Sequence, residues 1–306
     1  MEQMNAAVVT SFDEPPHYRS FEVPPAHDGE ITVDVVAVGL HPRTRSGAAG
    51  RHYTSTGRLP MIPGIDGVGR RADGKLVYFV ADDDVIGTMA EKAVVDPRRT
   101  VELPDGAGPA RIAAAMNPAM SSWVALRRRV PIQPGQTVLI LGAAGNAGAM
   151  AVQVAKLLGA GRVIGAARDV TRARGDEVVS LDEVGKAADA DIVLDYLWGR
   201  PAQEAIVAML TNRSDRGRLL DWVQIGSVAG PTIELPSVAL RSANFRLQGN
   251  GQGAVSPRGY LAELPALIDE IEAGRIRVMP RPVPLRDVEQ AWARPDQPGE
   301  RTVLIP

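Results

Sequence analysis

Apolar residues in the first third of the chain come in short runs broken by turns. Ala6–Thr10, the alternating stretch Ile31–Val38, Leu76–Val80 and Glu91–Val95 are separated by Gly, Pro and Asp clusters. A period of two predicts strands with one face on a core, and the set predicts a compact, mostly β lobe. The texture changes near Ala110. Ala113–Arg129 carries a helical apolar face, and Gln136–Leu141 is a continuous apolar run, the pattern of a strand buried on both sides. A helix is predicted over Ala147–Gly159, with the glycine as its stop, then a buried strand over Arg162–Ala166. Ile192–Leu197, Leu219–Ile225 and Phe245–Gly249 repeat the short apolar pattern, with helical stretches between some of them. Strand and helix in alternation predict a parallel sheet with right-handed crossovers. Gly259–Ala273 reads as one amphipathic helix, then proline-rich strands lead to Val303–Ile305, with Pro280, Pro282 and Pro284 marking a return crossing between lobes. No internal repeat is found.

The segment Gly142-Ala143-Ala144-Gly145-Asn146-Ala147-Gly148 joins a predicted buried strand to a predicted helix. Small residues there let backbone approach a pyrophosphate, and the helix start offers free N–H groups and a partial positive charge. The three-glycine pattern is irregular: Ala143 stands at its first position, with Gly142 just before it placed to share the turn and Gly145 and Gly148 at the second and third. The same residues would also serve a tight packing turn that binds nothing. Nineteen residues past Gly148 the second strand ends at Ala167 and Arg168. A carboxylate there would suit the ribose hydroxyls of NAD, whereas a neutral residue and a guanidinium suit the 2′-phosphate of NADPH. NADPH is therefore the expected cofactor. Asp169, one residue on, argues the other way.

Composition narrows the chemistry. The 306 residues suit two lobes, and a net charge of −2 gives no reason to expect nucleic acid or an anionic membrane as partner. The run Arg127–Arg129 reads as the solvated end of a helix. There is no cysteine, which removes disulfides, thiolate metal sites and cysteine nucleophiles, and four histidines form no clustered zinc motif. No signal-like N-terminal segment and no membrane-length apolar stretch is seen, so a cytoplasmic protein with no metal is expected.

Several segments, in order, resemble the quinone oxidoreductase branch of the medium-chain dehydrogenase/reductase superfamily, the branch that includes zeta-crystallin. They are ITVDVVAVGLHP, Pro60–Gly69, the loop above, Val193–Gly199, Trp222–Gly230, LIDEIEAGRI and VPLRDVEQAW. The resemblance implies an α/β chain: a GroES-like β-rich catalytic lobe from residues 1–117 and 256–306, and a Rossmann doubly wound parallel-sheet domain from 118–255. It implies a cleft where nicotinamide meets substrate, and a homodimer paired through Phe245–Gly249. Zinc-dependent relatives carry a cysteine after the strand ending at Gly39 and a Gly-His-Glu triplet. This chain has no cysteine and reads Gly64-Ile65-Asp66, so the enzyme is expected to be zinc-independent. The family turn Gly-Leu-Asn-Pro is here Gly39-Leu40-His41-Pro42.

Hydride addition to a quinone or an α,β-unsaturated carbonyl leaves negative charge on oxygen, which without a metal only hydrogen-bond donors can stabilise. Tyr53 and His41, the latter with a pKa near neutrality, are the candidates. Tyr196, Leu197, Ile225, Gly226 and Ser227 end strands at the carboxyl edge, and the resemblance puts them by the nicotinamide ribose. Asn250, Asn117 and Ser121 are further expected cofactor contacts. Two rival functions stay open. One is an enoyl-thioester reductase, hinted at by Arg43, Arg45, Arg51 and Arg58. The other is an NADPH-binding sensor or structural protein with little catalysis.

Overall fold

The computed structural model describes residues 2–81 and 85–306. Its strands and helices are, in chain order, β1 Gln3–Val8, β2 His17–Glu22, β3 Ile31–Gly39, α1 Pro42–Ala48, β4 Asp66–Arg70, β5 Leu76–Val80, β6 Lys92–Val95 and β7 Thr100–Glu102. There follow α2 Pro109–Val124, β8 Thr137–Leu141, α3 Asn146–Leu157, β9 Arg162–Ala167, β10 Glu177–Ser180, β11 Ile192–Asp195, α4 Gly199–Asn212, β12 Leu220–Gln224 and β13 Phe245–Gly249. The chain ends with α5 Pro257–Leu261, α6 Leu264–Glu272, β14 Met279–Pro284, α7 Val288–Ala293 and β15 Glu300–Ile305. Two compact units result: residues 1–117 with 268–274 and 278–306, and residues 118–267 with 275–277.

In the first unit the strands run in the order β14-β15-β3-β4-β5-β7, with β6 also on β3 and a separate β1–β2 ladder. The alternation read in Ile31–Val38 is what β3 uses: Val33 and Val35 enter a core with Phe79, Met89 and Leu304 while Thr32 and Asp34 face out. The proline-rich segment is a strand, as its reading expects. It is β14, an edge strand parallel to β15, where proline costs no ladder bond on the open side.

In the second unit six parallel strands run β10-β9-β8-β11-β12-β13. Numbered within the unit this is 3-2-1-4-5-6, the dinucleotide-binding order, with its switch point between β8 and β11. The sheet is covered on both faces, so β8 and β11 are continuous apolar runs apart from their ends. A core of Leu139, Ile164, Val193, Ile206, Met209 and Trp222 lies along it.

Two expectations change here. The helix predicted over Gly259–Ala273 is two helices, because Pro265 has no N–H for a continuous helix and Glu263 turns inward. The arginine run is not simply solvated. Glu263, 2% exposed, accepts the guanidinium Nε of both Arg127 and Arg128 and, at 3.1 Å, the indole N–H of Trp123. A carboxylate this deep is retained only with such partners.

Candidate cofactor site

Gly142 directly follows β8 with φ at +92°, a left-handed backbone that an L side chain adopts only at a cost of about 1 kcal/mol or more. The irregular glycine pattern thus has a local explanation: Gly142 takes the turn. The N–H groups of Gly142 and Ala143 both donate to the Ala166 carbonyl, at 2.9 and 3.1 Å. Ala143 is buried against Gly165, where a Cβ would lie 2.9 Å from the Ala143 methyl. Gly148 is the tightest point of the loop, since a Cβ there would sit 2.3 Å from the Gly142 carbonyl oxygen. Gly145 caps α3 in an extended conformation, and the first helical bond runs from Ala149 N to Gly145 O at 2.8 Å. The N–H groups of Ala147 and Gly148 precede that bond, at the positive end of the helix, beside Ala144 and Asn146.

The end of β11 closes on this turn, and the ends of β12 and β13 follow along the same sheet edge. A Cβ on Gly142 would touch Leu197 at 3.1 Å and Tyr196 at 3.4 Å, so the end of β11 packs directly on the loop. Asp195 shapes that end. Its Oδ1 accepts the N–H groups of Leu197 (2.8 Å) and Trp198 (3.0 Å), and its Oδ2 accepts the Trp222 indole N–H (3.1 Å). Burial pushes its carboxyl up, and the three donors oppose the shift. Trp198 is held at φ +51°, ψ −160°, backbone that is nearly glycine's alone. Gly226 follows β12 and could not carry a side chain, because a Cβ would meet the Tyr196 carbonyl at 2.6 Å; Ile225 and Gly226 both donate to Asp195 O. The Tyr196 hydroxyl lies 3.0 Å from Ser121 Oγ, and burial pushes it up to about 12, so it keeps its proton at neutral pH. Asn250 donates from Nδ2 to Ser121 O at 2.8 Å and from its backbone to Gln224 O at 2.8 Å. The loop, Tyr196, Leu197, Ile225–Ser227 and Asn250 therefore sit on one sheet edge of one unit.

At the end of β9, Ala167 is buried and Arg168 is exposed, with no hydrogen bond or ion pair to another of the described residues. Asp169 is turned into its own loop, accepting Thr171 N at 3.1 Å and Thr171 Oγ1 at 2.6 Å. The threonine hydroxyl, with Arg172 nearby, holds this carboxyl below its usual range. Asn117 is the last residue of α2 that groups with the first unit, half-buried and one residue before Pro118.

The first unit holds the two expected catalytic residues in contrasting settings. His41 is 1% exposed and neither ring nitrogen has a hydrogen-bond partner. Burial, and then the charge of Arg301, hold its pKa well below the usual histidine value. The expectation of a pKa near neutrality is thereby overturned: burial and Arg301 favour the neutral ring. Gly39 makes room for the ring: a Cβ there would lie 2.2 Å from His41 Nε2 and 2.4 Å from Ala113 O. Tyr53 is 70% exposed, its ring 4.3 Å from that of His52. Of the four neighbouring arginines, Arg43 binds Thr54 Oγ1 at 2.8 Å, and Arg45 binds Trp292 O at 2.6 Å while lying over that indole. Arg51 and Arg58 are exposed.

Asp195 and Gln224 are absent from the sequence-derived set. The signal for Asp195 was a lone carboxylate inside the apolar run Val193–Leu197, a placement that demands dedicated donors. Among the described residues no three His, Asp or Glu side chains form a metal-binding group, and no helix is long and apolar enough to cross a membrane.

No protein-family model matches the chain. The probable NADPH-dependent quinone reductase tdiC of Emericella nidulans is 30% identical over an alignment of 362 residues covering 99% of this chain and 100% of that protein. Quinone oxidoreductase-like protein 2 of Rattus norvegicus is 29% identical over 80% of this chain and 74% of its own length. The quinone oxidoreductase of Thermus thermophilus, solved also in complex with NADPH, superposes with a TM-score of 0.81 at 26% identity, over 99% of this chain and 100% of that one. Strand order, switch-point loop and whole-length similarity agree: the chain belongs to the quinone oxidoreductase branch of the medium-chain dehydrogenase/reductase superfamily.

Proposed function

We propose that this chain is an NADPH-dependent, zinc-independent oxidoreductase that reduces a quinone or an α,β-unsaturated carbonyl. The observation that carries the cofactor assignment is the cradle at Gly142–Gly148. Its glycine-only approach at Gly148 brings a helix N-terminus against the first turn residue, where a pyrophosphate finds N–H donors. Relatives named as quinone reductases, one of them solved with NADPH, support the same reading. When bound, NADPH supplies hydride from C4 of its nicotinamide.

The chain's own residues hold and orient. Arg168, exposed and uncommitted among the described residues, pairs with the 2′-phosphate while Asp169 is occupied by Thr171. The Tyr196–Leu197 strand end lies by the nicotinamide ribose, and the loop carrying Asn250, pinned on Ser121, closes over the nicotinamide. Tyr53 donates a hydrogen bond to the substrate oxygen that gains charge. His41, neutral and buried, supports the Gly39–Leu40 turn rather than moving a proton. Zinc independence rests on the absence of cysteine and on Ile65 within Gly64-Ile65-Asp66.

Steady-state turnover with NADPH against a panel of quinones, enones and an enoyl-thioester tests the reading, before and after dialysis against a chelator. Quinones or enones turn over best, dialysis changes nothing, and Tyr53→Phe lowers kcat about 10- to 100-fold. A strong preference for the thioester moves the assignment to the rival enzyme class. Tight NADPH binding with no acceptor reduced makes the chain a sensor or structural protein.

Cofactor choice gives a separate prediction. Arg168→Ala is expected to weaken NADPH by about 10- to 30-fold, the loss of one charge-assisted pair, and NADH by less than about 2-fold. Equal losses for the two nucleotides in equilibrium titration refute the role of Arg168.

A further inference from the structure

The loop after β13 carries Asn250, and its fixing has an unexpected source in the arginine run at the end of α2. Residues Ala125–Arg129 wind as a π turn, closed by Val130 N to Ala125 O at 2.8 Å. Single π turns inside helices often mark functional positions. Two neighbours lock this one: Arg127 and Arg128 bind the buried Glu263, and Arg127 also lies 4.9 Å over the Trp123 ring. The position of the next residue is therefore set independently of the loop it meets. Arg129 donates from Nε to Gly249 O at 3.0 Å and from Nη1 to Ala254 O at 3.1 Å. One planar fork thus grips both ends of the segment Gly249–Ala254, whose residues Gly251 and Gln252 are exposed.

We propose that Arg129 is a positioning residue for the nicotinamide end of the cofactor, holding the Gly249–Ala254 loop so that Asn250 stays on Ser121 and Gln224. The inference rests on the cofactor reading above. Arg129 touches neither substrate nor cofactor in this role. Its two acceptors are backbone carbonyls at the ends of a surface loop, which water can satisfy, so its removal leaves no buried orphan and the unit stays folded.

The full-length protein, with Arg129→Met and Arg129→Lys, is titrated with NADPH and, separately, with adenosine 2′,5′-bisphosphate, which carries only the adenine end. Arg129→Met is expected to raise the NADPH Kd about 10-fold while the bisphosphate stays within about 2-fold. Arg129→Lys, which keeps the charge but not the fork, falls between. Unchanged NADPH affinity in Arg129→Met overturns the inference, as does a parallel loss of both ligands. Both of those results leave the cofactor reading standing if the parent binds NADPH. A parent that binds neither ligand overturns both.

Discussion

Replacing Gly148 by alanine should abolish useful NADPH binding, raising its Kd by about 100-fold or more, which is roughly 3 kcal/mol. The new Cβ would lie 2.3 Å from Gly142 O and 2.8 Å from Ala143 Cα. Both neighbours are backbone, so no flexible side chain can yield, and α3 must move away from the turn. Alanine inside a helix is otherwise favoured over glycine by about 1 kcal/mol, so propensity predicts the opposite sign. Gly145→Ala, at the second position of the pattern, meets no such obstacle within the fold. Its Cβ meets Gly142 O at an ordinary 3.4 Å, and its φ of −81° suits any residue. Isothermal titration of both variants checks the claim. Comparable losses at Gly145 and Gly148 would show that small size in general, not the Gly142–Gly148 contact, is what the loop requires.

A second large effect belongs to stability and pH. Asp66 is buried on β4, with Oδ2 accepting the Tyr78 hydroxyl at 2.6 Å and Oδ1 without a partner. Burial pushes its pKa from 3.8 to about 6, against the Tyr78 hydrogen bond and the charge of Arg43. A carboxyl raised in the folded state favours folding while protonated. That contribution is fully present below the unfolded value of 3.8 and is lost as pH rises through about 6. A displacement of that size corresponds to roughly 3 kcal/mol. Asp66→Asn keeps an oxygen for Tyr78 and cannot ionise. Its unfolding free energy should match the parent near pH 4 and exceed it by about 2–3 kcal/mol near pH 7.5. Urea unfolding of both proteins across that range measures the difference. A gap that does not change with pH would show that Asp66 is not the titrating group.

Much of the fold was legible because period and punctuation report burial directly. The alternation in Ile31–Val38 and the unbroken run before Gly142 each marked a strand and its number of covered faces. Polar residues whose role depends on distant partners were not legible. Nothing within Arg127–Arg129 announces Glu263 or the carbonyl of Gly249, more than a hundred residues away, and the run reads as a solvated helix end without them. His41 shows the same limit from the other direction. Its identity predicts a group titrating near neutrality, but Gly39 and Ala113 shape its burial and Arg301 adds a charge. Within the phosphate loop the sequence left the turn to Ala143 or to a share with Gly142, and the backbone angle shows that Gly142 takes it.

Equilibrium titration of the parent and Gly148→Ala with NADPH, followed by nicotinamide fluorescence, tests the central claim most directly. The parent should bind NADPH saturably, with competition from adenosine 2′,5′-bisphosphate, and the variant should lose that binding. Absence of binding to the parent, or binding of equal strength in Gly148→Ala, would contradict it.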